Sequence, residues 1–295
     1  MPQLVELSEE VGDALEKGRA VVALETTLVA HGFPAPEGLE VGLESEQRVR
    51  AAGAVPATIG VLDGAIRVGL TPEQLACFTP DARKVGPRDL AACAAQGVVG
   101  ATTVGGTLAV ARAVGIHFLG TGGLGGVHCG FPSPPDVSAD LGALARTPAL
   151  VACSGVKSLL DVAATAELLE TLGVPVLGFR TDTLPLFYSA HGGPPVSARV
   201  ETVEVAAEIA DAHWALGGGG VLLANAPPES LDVADLIEEG LAEARRRSVA
   251  GQQITPFVLS FLHERSGGET MRVNRALIAE NAGLAAAVAV AHAAS

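Results

Sequence analysis

Positive charge and aromatic rings are what this sequence has least of. Its 295 residues include 19 Lys or Arg against 33 Asp or Glu, a formal net charge of −14, and aromatic residues make up 3%. A polynucleotide partner calls for a basic face and stacking rings, so the two shortages together argue against nucleic acid. A small phosphorylated ligand needs only a local cationic pocket and remains compatible with both. Cysteine is scarce too. Cys77, Cys93, Cys129 and Cys153 show no CxxC spacing and lie in apolar or glycine-rich surroundings. That predicts reduced, buried thiols rather than disulfides or zinc ligands, and a cytoplasmic protein. The opening residues, MPQLVELSEEVGDAL, carry acids where a secretory leader would carry a basic and then an apolar stretch, so no signal peptide is expected. From residue 282 onward the chain is apolar but alanine-rich and short for a membrane span. It reads as a buried or subunit-contacting helix with no membrane partner.

Lysine is the most informative shortage. Only Lys17, Lys84 and Lys157 occur, so wherever a plain positive charge serves, this sequence uses arginine. Guanidinium stays protonated, whereas desolvation or a helix N-terminus can bring an amine to its neutral, nucleophilic form. A neutral amine and a carbonyl give a Schiff base. Lys157 stands in LVACSGVKSLLDV, residues 150–162, where an apolar run breaks at Ser154 and Gly155 and is expected to resume as helix from residue 158. A lysine there either covers apolar surface with its stem or acts as that nucleophile.

What is present is ample for a core, with 48% hydrophobic residues and 18% charged. Residues 8–17 read as a helix capped by Ser8. Residues 21–30, VVALETTLVA, read as a strand with Glu25 in its middle, where a carboxyl must be paired, protonated or in use. An amphipathic helix is expected over 37–52, a hairpin around Asp63 and Gly64, and a helix opened by Thr71 and Pro72. Lys84 precedes a helix whose opening is marked by Pro87. Residues 98–115 read as strand, glycine turn and helix, and 116–126 as strand and glycine loop. Strands at 149–153, 174–179 and 221–225 then alternate with helices at 158–172 and 200–216, and helices run to the end. This alternation predicts an α/β fold, a single-domain α/β/α sandwich over residues 1–295 with a central mixed sheet.

Several constellations could carry chemistry. Residues 120–125, GTGGLG, match GxGxxG after a strand, but GVHCGFPSPPDV follows with no helical period, so a dinucleotide site is disfavoured and close backbone approach to a small ligand preferred. Asp136 and Asp140 come next. One could cap the helix over 141–145, and an acid in a polar loop could hold a divalent cation that keeps most of its water. Pro134 and Pro135 stiffen the approach to Asp136, whereas Asp140 lies where that helix begins. His31, His128 and His191 each adjoin glycine in predicted loops, as pocket-lining donors rather than zinc ligands. Asn225, Asn274 and Asn281 are the only asparagines. Asn225 ends a strand, where ligands of α/β sheets often bind, and the other two could pack a helix face.

With ALETTLVAHGFP, KVGPRDL, GATTV, GTGGLGGVH, DVSADL, SGVKSLLD, LLANAPP and ITPFVLSFL in order over nearly the whole length, the chain closely resembles the pseudouridine-5'-phosphate glycosidases, the indigoidine synthase A-like family. The resemblance implies reversible cleavage of the carbon–carbon glycosidic bond of pseudouridine 5'-phosphate to uracil and ribose 5-phosphate. It implies Lys157 as the Schiff-base lysine and Glu25 as proton donor. Lys84, Val104, Ser138, Ala139, Asp140, His128 and Asn274 would be substrate contacts. Asp136 would sit at a site for Mn²⁺, or another divalent cation such as Mg²⁺, in a homotrimer of α/β/α subunits. Three features depart from the family pattern: Cys129 stands where a basic residue commonly follows the GGVH histidine, Gly86 and Pro87 replace a serine and a second basic residue, and FPSPP leads into Asp136. Rival classes are a Schiff-base aldolase or lyase on another phosphosugar, a dinucleotide-dependent oxidoreductase resting on GTGGLG, and a non-catalytic binding protein.

Overall fold

A computed structural model describes residues 4–129, 136–249 and 251–295, with the side chain of Gln252 left aside. Among the described residues eleven strands form one mixed, mostly parallel sheet. Its spatial order is Val5–Leu7, Ala65–Val68, Val55–Leu62, Val21–Glu25, Phe118–Gly120, Leu150–Cys153, Val221–Asn225, Val176–Phe179 and Ala198–Val200. Neighbours along this path are parallel except Val55–Leu62 with Ala65–Val68. That pair is the expected hairpin, with Asp63 at φ 53° and Gly64 at φ 76° filling the two positive-φ positions of a tight turn. Two further strands, Arg83–Val85 and Gly100–Thr102, pair with each other, and the second also pairs with Val55–Leu62.

The central strands are apolar up to their terminal Glu25 and Asn225 because both faces are covered. Val22, Leu24, Phe118, Leu150, Ala152, Leu177, Val221 and Leu223 pack with residues of helices Val203–Ala215 and Glu269–Ala293. The alternate residues, Val21, Ala23, Leu119, Val151, Cys153, Leu222 and Ala224, join the core with helices Val104–Val114, Ala139–Ala145 and Val162–Thr171. The apolar tail belongs to the 25-residue helix Glu269–Ala293. By length and composition that helix could cross a membrane, yet 56% of its apolar window is buried in the protein.

Local signals placed several boundaries. The Ser8 side chain accepts from the amide of Val11 and starts helix Glu9–Glu16, and Thr71 with Gln74 forms a capping box at helix Pro72–Leu75. Other boundaries differ from expectation. Residues 21–30 split into strand Val21–Glu25 and helix Thr27–His31, so Glu25 ends its strand rather than lying in its middle. Gly105 and Gly106 lie in the first turn of helix Val104–Val114 instead of a turn before it. The helix after Lys84 begins at Leu90 rather than near Pro87, and Lys84 itself lies on a strand. The helix after Lys157 begins only at Val162. All four thiols are free, but only Cys93 and Cys153 are buried, while Cys77 and Cys129 are exposed.

Candidate active site

Three neighbouring parallel strands end at one place. In register, Leu24 lies beside Gly120 and Gly120 beside Ala152, so Glu25, Thr121 and the segment from Ser154 leave the sheet together at its carboxyl edge, where ligands of open α/β sheets bind. Strand alternation turns Glu25 to the face opposite Leu24. Its side chain is 5% exposed, and the Thr121 hydroxyl donates to its Oε1 at 2.5 Å. Burial pushes the Glu25 carboxyl above its usual range, against Lys157 and the Thr121 hydroxyl, which favour the ionised form.

Lys157 is positioned by a loop, not by a helix start. Past the strand ends the two segments stay zipped: Thr121 N donates to Ala152 O, Ser154 N to Gly122 O, Leu124 N to Gly155 O and Lys157 N to Leu124 O. Gly155 makes this path possible. Its φ is +79°, and a Cβ there would lie 2.0 Å from the carbonyl oxygen of Pro185. The next helix begins five residues further on, at Val162, so Lys157 does not sit at a helix N-terminus.

Lys84 comes from strand Arg83–Val85, which is tied to the end of the Glu25 strand by threonines. Thr26 Oγ1 donates to Ile59 O and accepts from Thr102 N, and Thr27 Oγ1 donates to Ala101 O, the strand partner of Lys84. Burial lowers the Lys84 amine, and Lys157 lowers it further, while Asp140 and Glu25 hold it up.

Asp140 organises the opposite wall. Ser138 caps helix Ala139–Ala145, its Oγ accepting from Asp140 N at 3.3 Å. The 5%-exposed Asp140 carboxylate accepts from Gly105 N at 2.7 Å and Gly125 N at 3.1 Å. A Cβ at Gly125 would lie 2.4 Å from Ser138 Oγ and 2.6 Å from Asp140 Oδ2, so glycine is needed for this approach. The loop of residues 120–125 opens no helix and runs on to the short strand Val127–His128.

These groups line one cavity of about 820 Å³, together with Val104, Ser138, Ala139, His31, His128, Asp136, Arg88 and Asn274. His128 Nδ1 is 3.9 Å from Asp136 Oδ2, and burial lowers the imidazole, keeping it toward the neutral form. Burial also lowers His31. Asn274 is 3% exposed, and its Oδ1 has no partner among the described residues. His191 does not join this group. It lies on an exposed loop, its carbonyl bonded to Ser189, and Asn225 lines a separate depression. Among the described residues no group of three His, Cys, Asp or Glu could hold a metal ion. The prolines of residues 131–135 lie outside the described residues, so the stiffness expected before Asp136 has no structural account.

Sequence reasoning missed Thr121, the threonine ties of Thr26 and Thr27, and the role of Gly105 as Asp140's partner. Each is defined by a contact between distant segments. The only local trace was two hydroxyl residues directly after Glu25.

The family model described as indigoidine synthase A like protein matches residues 10–291. The chain is 46% identical to a pseudouridine-5'-phosphate glycosidase of Herpetosiphon aurantiacus over 97% of each chain. It is 49% identical to one of Salinispora tropica, over 97% of this chain and 91% of the relative. Among solved structures, the prealnumycin C-glycosynthase AlnA in complex with ribulose 5-phosphate superposes with a TM-score of 0.90 at 38% identity, covering 100% of this chain and 98% of that one. An indigoidine synthase A-like protein from Thermotoga maritima gives 0.88 at 38% identity, covering 97% and 96%.

Proposed function

We propose an activity from the premise that this chain belongs to the indigoidine synthase A-like family: it is a pseudouridine-5'-phosphate glycosidase, which reversibly cleaves the carbon–carbon glycosidic bond to give uracil and ribose 5-phosphate. The observation that carries this reading is the convergence of Lys157, the buried Glu25 and Lys84 on one cavity. An ordinary glycosidase protonates a leaving oxygen. A C-glycoside leaves through carbon, so an electron sink is required, and an iminium supplies one.

In the synthetic direction, the Lys157 amine adds to the C1' aldehyde of open-chain ribose 5-phosphate and water departs, leaving the iminium. The C5 carbon of uracil attacks C1', pushing the iminium electrons onto nitrogen, and C5 then gives up its proton. The sugar's O4' closes on C1' and releases the lysine, so the sum is uracil plus ribose 5-phosphate to pseudouridine 5'-phosphate plus water. Cleavage runs the same steps backwards. Glu25, whose proton burial holds more tightly than an exposed carboxyl would, moves protons between the sugar oxygen and the base. Lys84 and Arg88 hold the phosphate, with those glycine-loop amides that Asp140 does not engage. Val104, Ser138, Ala139, Asp140, His128 and Asn274 contact the rest of the substrate.

A divalent cation such as Mn²⁺ fits only as an ion that keeps most of its water, held through the half-exposed carboxylate of Asp136 on the cavity wall. Bound there, it would supply positive charge for substrate oxygens. A homotrimer in the cytoplasm completes the proposal.

Lys157→Arg tests it. The substitution keeps charge and removes the nucleophile, so uracil release, followed by mass spectrometry, should vanish in a folded protein. Borohydride with ribose 5-phosphate should add a sugar-phosphate mass at Lys157 of the wild type. An active Lys157→Arg enzyme, or an adduct mapped to Lys17, would overturn the assignment. Turnover of simple aldol substrates with none of pseudouridine 5'-phosphate would favour the aldolase alternative.

A further inference from the structure

Asn281 does not itself line the cavity, yet its carboxamide is fully engaged at 0% exposure. Its Nδ2 donates to Thr121 O at 2.9 Å, to Ser154 Oγ at 3.1 Å and more weakly to Gly122 O at 3.4 Å, while its Oδ1 accepts from Asn225 Nδ2 at 3.2 Å. The carbonyls of Thr121 and Gly122 can only accept, which sets the amide's orientation. Helix Glu269–Ala293 can come this close because residue 120 is glycine: a Cβ there would lie 2.8 Å from Ala282 Cα.

These bonds fall at the root of the two zipped loops. One loop carries Thr121, whose hydroxyl holds Glu25. The other leads through Ser154 and Gly155 to Lys157, whose own amide bonds back to Leu124 of the first. We infer that Asn281 is a positioning residue for the reaction: by clamping both loops to one helix, it sets where the Lys157 amine lies relative to the Glu25 carboxyl. The inference rests on the roles proposed for those two residues.

The geometry states what a perturbation does. In Asn281→Asp the shape is kept, but an oxygen replaces the amino group against the carbonyl of Thr121, so the seam must open. A displacement of about 1 Å between reacting groups can cost about 10²-fold. The cationic phosphate contacts, Lys84 and Arg88, lie on another segment of the wall, so kcat should fall by more than KM rises. The Thr121 hydroxyl favours ionised Glu25, so its displacement should move the corresponding limb of the pH–rate profile to higher pH. Ser154→Ala removes a single acceptor of the clamp and should give the same changes in smaller measure.

The experiment compares Asn281→Asp, Ser154→Ala, Glu25→Gln and Lys157→Arg in the full-length protein. It measures kcat, KM, pH–rate profile, thermal unfolding and the rate of borohydride trapping with ribose 5-phosphate. A folded Asn281→Asp with a kcat lowered by about 10²-fold, a smaller rise in KM and a shifted limb supports the inference. Wild-type kcat and profile in that variant would overturn it, as would a kcat falling only with the folded fraction. If Asn281→Asp does not fold, Ser154→Ala decides, and an unchanged kcat and profile there overturns it. Full activity in Glu25→Gln or Lys157→Arg instead refutes the underlying site, whereas loss in both with a normal Asn281→Asp refutes the positioning role alone.

Discussion

Replacing Asp140 by asparagine should separate architecture from substrate contact. The carboxylate joins the first turn of helix Val104–Val114 to the glycine loop through two amides, Gly105 N at 2.7 Å and Gly125 N at 3.1 Å. Asparagine keeps one acceptor oxygen. If that oxygen stays on the shorter bond, the new amino group faces the Gly125 N–H, donor against donor. Losing a hydrogen bond to a charged group costs about 1.5–3 kcal/mol, and stranding a buried donor costs about 1–3 kcal/mol. Partial relaxation of the loop brings the expected total to about 2–4 kcal/mol, a large share of a whole-protein stability of about 5–15 kcal/mol. Urea unfolding followed by circular dichroism should show a midpoint lower by about 1 M at unchanged m. A functional effect accompanies it: the Asp140 charge holds the buried Lys84 amine up, so without it Lys84 should lose its proton at lower pH. KM for the phosphosugar should then rise, most steeply toward alkaline pH. A stability change below about 0.5 kcal/mol, with wild-type KM across pH, would refute the idea that these amides depend on the carboxylate.

Burial raises the Glu25 carboxyl above the ordinary value of 4.5, so the folded state holds this proton more tightly than the unfolded chain. The stability contributed by protonated Glu25 is therefore complete below about pH 4.5 and is lost as pH rises through the raised folded value. Glu25→Gln, neutral at every pH, should unfold at a higher temperature than the wild type at pH 8 but not at pH 4, while turnover falls by about 10² to 10⁴-fold; the same temperature difference at both pH values would count against a buried, protonated carboxyl. For the cation, chelator should suppress activity and Mn²⁺ restore it. Asp136→Asn should raise the concentration for half-activation by about tenfold or more, and Asp140→Asn should leave it near the wild-type value. Equal shifts in the two variants would mean a shared site, and the reverse ranking an exchange of roles.

Local chemistry made much of the fold legible in the sequence by itself. The Ser8 cap, the Thr71–Gln74 box and the Asp63–Gly64 turn each depend on neighbours within a few residues, and apolar runs alternating with amphipathic ones determined the α/β class. Lys84, Lys157 and Glu25 stood out because few residue types can do carbonyl and proton chemistry, and because the chain otherwise avoids lysine. Boundaries inside apolar runs were a different matter. A buried strand and a buried helix look alike over a few residues, so the break at Thr26 and the long approach from Lys157 to Val162 were settled by pairing with distant strands. The same holds for the partners of the site residues. Thr121 beside Glu25, Gly105 and Gly125 on Asp140, and Asn281 across two loops are separated by 96, 35, 15 and up to 160 positions. Hydrogen bonds of that span have no periodic trace in a sequence, because strand register and the approach of a helix to a glycine decide which groups meet.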